Sequence, residues 1–303
     1  TGASHSNNTA VGKDALLAIT TGGSNVAVGV SAGASILTGD GNIAIGATSL
    51  DAISVGEKQN IAIGTDAMGG VNEGSGGGDA DYNIAIGQNA LLGATFGSDL
   101  QLQGNIAIGF QSLDATAGNA QTGTIAIGHQ ALTALTSGER NTAIGTAALA
   151  AEATGDYSVA VGYEALTAQT GVDGTAANTA VGYNAGSSIS SGDHNTLIGY
   201  LAGDGFDAEV QNTFIGSGAG GGAINGADAC VAIGKDAIAA AHTQDGTVAV
   251  GKDALGSILG GSENTAIGYQ AAALITTGGS NTIVGYQALD AANSDENANV
   301  AVG

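Results

Sequence analysis

Five residues, Asn25-Val26-Ala27-Val28-Gly29, return with small changes along the whole chain, as Asn42-Ile43-Ala44-Ile45-Gly46, Asn141-Thr142-Ala143-Ile144-Gly145 and Asn299-Val300-Ala301-Val302-Gly303. From the closing Gly12 to the closing Gly303 there are 17 copies and 16 intervals, and the commonest interval is 17 residues. A period this short and persistent constrains the chain to a solenoid, in which each unit buries its apolar surface only against its neighbours. A length of 303 residues would by itself suggest about two domains, but the repeat implies a single β-solenoid domain over 1–303.

The motif positions read as Asn-x-Ala-(Ile/Val)-Gly. The second is Val, Ile or Thr and the fourth is Ile or Val in every copy. β-Branched residues at alternate positions make a strand with both side chains on one face. The expected core column is therefore the fourth position: Val11, Val28, Ile45, Ile63, Ile86, Ile108, Ile127, Ile144, Val161, Val181, Ile198, Ile215, Ile233, Val250, Ile267 and Val284. The third position, Ala except at Leu197, Phe214 and Ile283, would then form a flat outer surface that another backbone approaches closely. The first position is Asn in 13 copies and Thr124, Ser158, Cys230 or Thr247 in the others. Stacked Asn either forms an amide ladder or takes a left-handed corner. The closing Gly suits a corner where a side chain would clash.

A second arm follows each Gly, with Ala or Ser three residues on and usually Leu after it, as in Ala131-Leu132 and Ala254-Leu255. It is too short for an ordinary helix and reads as a second strand closing the core. Turns such as Thr136-Ser137-Gly138-Glu139-Arg140 complete the unit. The fold class is all-β, a parallel β-solenoid or β-roll of about 17 coils. Longer corner loops are expected near 69–82, 93–104 and 167–177, and the first two fall on successive coils. Repeat insertions map to one face, often the binding face.

Composition excludes several functions. The net charge is −22, with only Lys13, Lys58, Arg140, Lys235 and Lys252 basic. Nucleic acid and anionic lipid both require clustered Lys and Arg. There is no run of about 18 apolar residues, so no membrane insertion is expected in this segment. Cys230, the single cysteine, sits in the Asn slot and reads as a structural thiol. The letters Gly216-Ser217-Gly218-Ala219-Gly220-Gly221 match a dinucleotide pattern but open no helix. His5, His129, His194 and His242 lack zinc spacing. No catalytic set and no cofactor site is suggested, and the chain is not expected to be an enzyme.

Two features remain as candidate sites. Asp79, Asp81 and Asn83 alternate as at the start of a calcium loop, but Ile84 stands where the glycine belongs and no Glu closes it. Five of seven tyrosines, Tyr163, Tyr183, Tyr200, Tyr269 and Tyr286, directly follow a closing Gly. The first three lie on successive coils and should stack outside, either bracing the roll or contacting a sugar or partner. Lys13, Lys235 and Lys252 fill the same slot, each followed by Asp.

Asn264-Thr265-Ala266-Ile267-Gly268-Tyr269-Gln270-Ala271 and Asn281-Thr282-Ile283-Val284-Gly285-Tyr286-Gln287-Ala288-Leu289 resemble the YadA-like head repeats of trimeric autotransporter adhesins and related tail-fibre repeats of bacterial viruses. The resemblance extends over nearly the whole chain, although the adhesin repeat is usually shorter and these 303 residues are not expected to include a stalk, neck or anchor. It implies a left-handed parallel β-roll, three chains side by side, on a cell surface or virion. The expected function is an extracellular structural and adhesive fibre module, with self-association as a homotrimer and a cell-surface receptor or glycan as partner. Because the chain opens and closes inside its repeat, it reads as a segment of a longer fibre or as a subunit of an end-to-end filament. Another alternative, an ice- or crystal-binding solenoid, needs a flat Thr array, and Thr fills the second position at Thr9, Thr142, Thr179, Thr196, Thr213, Thr265 and Thr282.

Overall fold

The structure, a computed structural model, describes residues 6–72, 79–93, 101–116, 120–171, 174–222, 226–290 and 297–303. Much of the expected corner loops, at 73–78, 94–100 and 172–173, lies outside the described residues. Among the described residues there are 17 three-residue strands, four two-residue strands and no helix. The fold is a parallel β-solenoid of about 16 turns. It divides into two compact units, Thr1–Asp156 and Tyr157–Gly303.

In the first unit eight strands, from Thr9–Val11 to Thr142–Ile144, pair parallel, each with the next. In the second, nine strands from Val159–Val161 to Val300–Val302 do the same. Register follows the motif, so that Ile43 faces Ile61, Ala44 faces Ala62 and Ile45 faces Ile63. The loop coils keep this register: Ile84 faces Ile106 and Ile86 faces Ile108.

The two faces of the strand are the reverse of the sequence expectation. The third-position Ala residues, such as Ala44, Ala62 and Ala85, are buried, and so are Leu197, Phe214 and Ile283 in that slot. The column expected to be core points outward. Val11, Val28, Ile45, Ile86, Ile144, Val181, Ile198, Ile233, Ile267 and Val284 are exposed, and Ile63, Ile108, Ile127, Val161, Ile215 and Val250 are half-buried. The reason is room and parity. The inside of a coil is already filled from the opposite wall by Leu50, Leu91, Leu132, Leu149 and Leu166 and by Ile36, Ile53, Leu135 and Ile189. Only a methyl fits opposite them. The first and third positions also share a face, because side chains alternate along a strand.

The first position is inside because its amide serves the ladder. Asn42 N–H donates to Asn25 Oδ1 at 2.8 Å, Asn60 N–H to Asn42 Oδ1 at 3.0 Å and Asn83 N–H to Asn60 Oδ1 at 2.9 Å. The Nδ2 groups donate across the coil to turn carbonyls, as Asn25 does to Gly39 O at 2.8 Å. A buried amide satisfied on both sides stabilises, whereas an unsatisfied one would be costly. The left-handed corner falls one residue before the Asn, at Ser24 (φ 60°), Gln59 (φ 58°) and Arg140 (φ 56°).

The second arm is a chain of turns, not a strand. The second and fourth residues after each closing Gly have positive φ, as at Gln130 (φ 55°) and Leu132 (φ 50°). This conformation turns two consecutive side chains inward, which extended backbone cannot do. Ala67 and Met68, Ala90 and Leu91, and Ala131 and Leu132 are all buried. Its backbone still bonds between coils, with Leu132 N–H donating to Ala148 O at 3.1 Å and Gln130 N–H to Phe110 O at 2.9 Å. A left-handed residue costs about 1–2 kcal/mol, and burying a Leu gains about 1.5–3 kcal/mol. Each arm has two such residues, so a large fourth residue, where the interior has space for it, offsets only part of their cost and the inter-coil backbone bonds supply the rest.

Where the interior lacks that space, the sequence changes in concert. Leu197 and Phe214 replace the inward Ala, and the facing slots are Gly186, Gly203 and Gly220. A Cβ at Gly186 or at Gly203 would stand 2.7 Å from a Leu197 methyl, and one at Gly220 would fall on the Phe214 ring. Phe206 packs edge-on against Phe214, with ring centroids 4.7 Å apart. Phe214→Ala is expected to cost about 3–5 kcal/mol, and Gly220→Leu, which overpacks, about 1–3 kcal/mol. The double variant restores the Ala-and-Leu pairing of other coils and should recover most of the loss in urea unfolding. Additive losses would contradict this packing.

Candidate interaction face

The second and fourth motif positions present only Val, Ile and Thr outward, without a charged side chain in any of the 17 copies. Being β-branched, these residues keep few rotamers and pack side by side on the pleated surface. Strand register places each on its equivalent in the next coil, so they form two apolar columns per unit. Ile45 is 38% exposed and Ile267 41%, too open for a core and too apolar for an ordinary solvent face. Contiguous exposed apolar surface of several hundred Å² marks interaction sites.

A third column borders this face, formed by the residue after each closing Gly. Its register is fixed by backbone bonds from the following residue, with Asn184 N–H to Tyr163 O at 2.9 Å, Leu201 N–H to Tyr183 O at 3.0 Å and Gly218 N–H to Tyr200 O at 2.9 Å. The tyrosines stack as the sequence led one to expect. Tyr163 and Tyr183 have ring centroids 5.2 Å apart, Tyr183 and Tyr200 5.4 Å, and Tyr269 and Tyr286 5.3 Å. All five are exposed. Glu164, beside Tyr163, pushes that hydroxyl's pKa up through a hydrogen bond.

Two members of the column escaped the sequence reading. Phe110 and His129 stack at 5.4 Å in the first unit. Both directly follow a closing Gly, Gly109 and Gly128, and that position was the signal for them. Lys252 Nζ lies 5.3 Å from the centre of the Tyr269 ring. Lys13 pairs with Asp14 at 2.9 Å, Lys252 with Asp253 at 2.9 Å and Lys235 with Asp236. Such exposed pairs contribute little to stability. Next to them runs a short amide ladder, in which Gln287 Nε2 donates to Gln270 Oε1 at 2.8 Å.

The structure does not bring the candidate cation ligands together as one shell. Asn83 is buried in the Asn ladder, its Oδ1 accepting from Asn105 N–H at 3.0 Å. Asp81 Oδ1 accepts from Lys58 N–H at 2.6 Å, and Asp79 bridges to Gln101. Asp40 and Asp156 do the same work as Asp81 on Gly23 and Glu139 N–H. These turn carboxylates are thus acceptors for the preceding coil. Among the described residues no three His, Cys, Asp or Glu side chains are grouped as metal ligands.

Cys230 continues the ladder through its backbone, its N–H donating to Asn212 Oδ1 at 2.8 Å. Burial pushes its thiol pKa up, away from thiolate chemistry. On the neighbouring coil Thr247 fills the same slot, and its Oγ1 is 3.1 Å from Nε2 of buried His242. His242 is therefore a core residue. Gly216–Gly221 lies at a strand end and in turns, so the dinucleotide pattern has no helix to open.

No protein-family model matches this sequence, and no curated protein matches it.

Burial depresses the His242 pKa below its ordinary 6.5, while the Gln244 backbone and Asp245 oppose the shift. The folded chain then holds fewer protons than the unfolded chain below pH 6.5, so protonation favours unfolding. Stability contributed by neutral His242 should be complete above that pH and fall as the solution is acidified. Urea midpoints at about pH 8 and about pH 5 should differ less for His242→Asn than for the parent chain. Equal differences would remove His242 from the acid response.

Proposed function

We propose that this chain is a non-enzymatic structural fibre module that associates side by side with copies of itself through its outward Val, Ile and Thr columns. One observation carries the reading: a chain of net charge −22 keeps every outward second and fourth motif position free of charge. Like charge elsewhere would hold copies apart, while these columns allow approach and reward it by apolar burial. The repeat makes the face identical from coil to coil, so copies can meet in register about a symmetry axis. The buried Ala column cannot serve this role, so the contact runs through the β-branched face instead.

The YadA-like resemblance supports three copies, a left-handed roll and an extracellular setting on a cell or virion. Stiffness would follow from the inter-coil ladders of each unit. The exposed column after the closing glycines and the corners at 69–82, 93–104 and 167–177 remain to meet a receptor or glycan. Light scattering of the purified protein should give an integer multiple, above one, of 28.8 kDa. Ile86→Lys with Ile108→Lys should reduce the mass to one copy with an unchanged circular dichroism spectrum. A monomeric parent at tens of micromolar would overturn the reading.

The second reading, binding to ice or another flat crystal, uses the same face. It is favoured by the in-register outward run Thr179, Thr196 and Thr213. Thermal hysteresis by the Ile86→Lys/Ile108→Lys protein, whose Thr run is intact, would support it over self-association.

A further inference from the structure

The aromatic column of the second unit is interrupted. Reading along the coils, the residues after the closing glycines are Tyr163, Tyr183, Tyr200, Ser217, Lys235, Lys252, Tyr269 and Tyr286. Backbone bonds hold this order without a slip, with Gly218 N–H donating to Tyr200 O at 2.9 Å and Asp236 N–H to Ser217 O at 3.0 Å. Tyr200 has one ring face against Tyr183, at 5.4 Å and 14° between planes. Its other face looks toward the coil of Ser217, whose side chain is too short to cover it. Tyr200 is 55% exposed, and Tyr183 is its one stacked ring neighbour among the described residues.

We propose that this notch binds a single pyranose ring. Its first wall is the open face of Tyr200 and its floor is Ser217 and Gly218. Its second wall, two coil spacings of about 4.8 Å from the first, is the Lys235–Asp236 pair. A guest at the level of Ser217 would take the place of the missing ring, one ring spacing from Tyr200. Asp236 leans over the floor, with Oδ1 2.6 Å from where a Cβ on Gly218 would stand. Side-chain exposures of 58% for Lys235 and 37% for Asp236 leave both heads accessible.

The chemistry of the walls selects the guest. A ring that stacks on Tyr200 needs a C–H or π face, and the opposite wall and floor need hydrogen-bonding groups around its rim. A pyranose has both, since its axial C–H bonds form a face and its hydroxyls form the rim. Ser217 Oγ and the Asp236 carboxylate can accept from hydroxyls, and the Lys235 ammonium can donate to them. A plain aromatic guest would cover the Lys235–Asp236 pair without replacing its water, which disfavours it. Tyr163 and Tyr183 offer no comparable seat in their shared gap, because their facing surfaces are already used on one another. The site stands independently of the self-association proposed above, since none of its residues occupies a second or fourth motif position.

The test uses the whole chain and a panel of methyl pyranosides, read by saturation-transfer NMR and by titration calorimetry. The parent protein should saturate the ring C–H protons of at least one member. Tyr200→Phe keeps the face and should keep the binding, whereas Tyr200→Ala should weaken it by at least tenfold, about 1.4 kcal/mol. The decisive variant is Ser217→Tyr. The slot accepts Tyr on five other coils, so this protein should fold at least as well as the parent and lose binding. The proposal is overturned if no methyl pyranoside binds, if Ser217→Tyr binds like the parent, or if indole binds where every pyranoside fails.

Discussion

Successive coils of each unit touch backbone to backbone at the closing glycine, and the remaining architecture follows from that contact. At Gly234 the backbone runs at φ 132°, and an added Cβ would stand 2.6 Å from Gly251 O. No side chain is compatible with that conformation and that neighbour together. Because the approach recurs at each coil, the period cannot drift: strands stay in register, Asn stays above Asn, and the side chain after each glycine stays above its equivalent. Even the coils carrying the long corner loops pair residue for residue, as Ile63 with Ile86. Insertions are therefore absorbed in the turns, where extra loop length costs little.

Tight stacking also makes the interior narrow, and that decides which face of the strand is inside. The repeat, the parallel strands and the outward tyrosines were legible from spacing alone, and the Asn ladder was one of two readings that spacing left open. Inside and outside were not. Alternation says which residues share a face but not which face is dry, and β-branched residues suit both a core and a packed outer sheet. Two clues in the sequence pointed the right way. An inward Asn carries the third position with it, and the bulky Leu197 and Phe214 coincide with Gly at Gly203 and Gly220, which is the mark of a shared volume. The second arm was misread because Ala-Leu looks like a strand fragment. Positive φ at residues such as Leu149 (φ 50°) and Ile238 (φ 49°) runs against their own preference and is imposed by the stacking of coils. Of the candidate sites, the tyrosine column was visible from its fixed place after the glycines. The gap at Ser217 became meaningful only once Tyr200 was seen to have one covered face and one bare one.

The same inversion reorganises the surface. With Ala inside, the columns of Val, Ile and Thr become an uncharged outer face on a strongly acidic chain. The acidic residues have their own structural employment, since Asp40, Asp81 and Asp156 accept backbone N–H groups from the neighbouring coil. Net charge here is thus partly a by-product of how turns are tied together, and under the proposed self-association it would also oppose contact away from the apolar columns. Specificity of association would come from where charge is missing.

Thiol labelling tests the inside-outside assignment most directly. In a Cys230→Ser background, with Ser as at Ser158, single cysteines are placed at Ala44 and Ile45 and treated with a maleimide at concentrations where the protein is monomeric. Ile45→Cys should react under native conditions at nearly the rate of an unfolded peptide, and Ala44→Cys should react only as fast as the chain opens. Rapid native labelling of Ala44→Cys together with protection of Ile45→Cys would contradict the account.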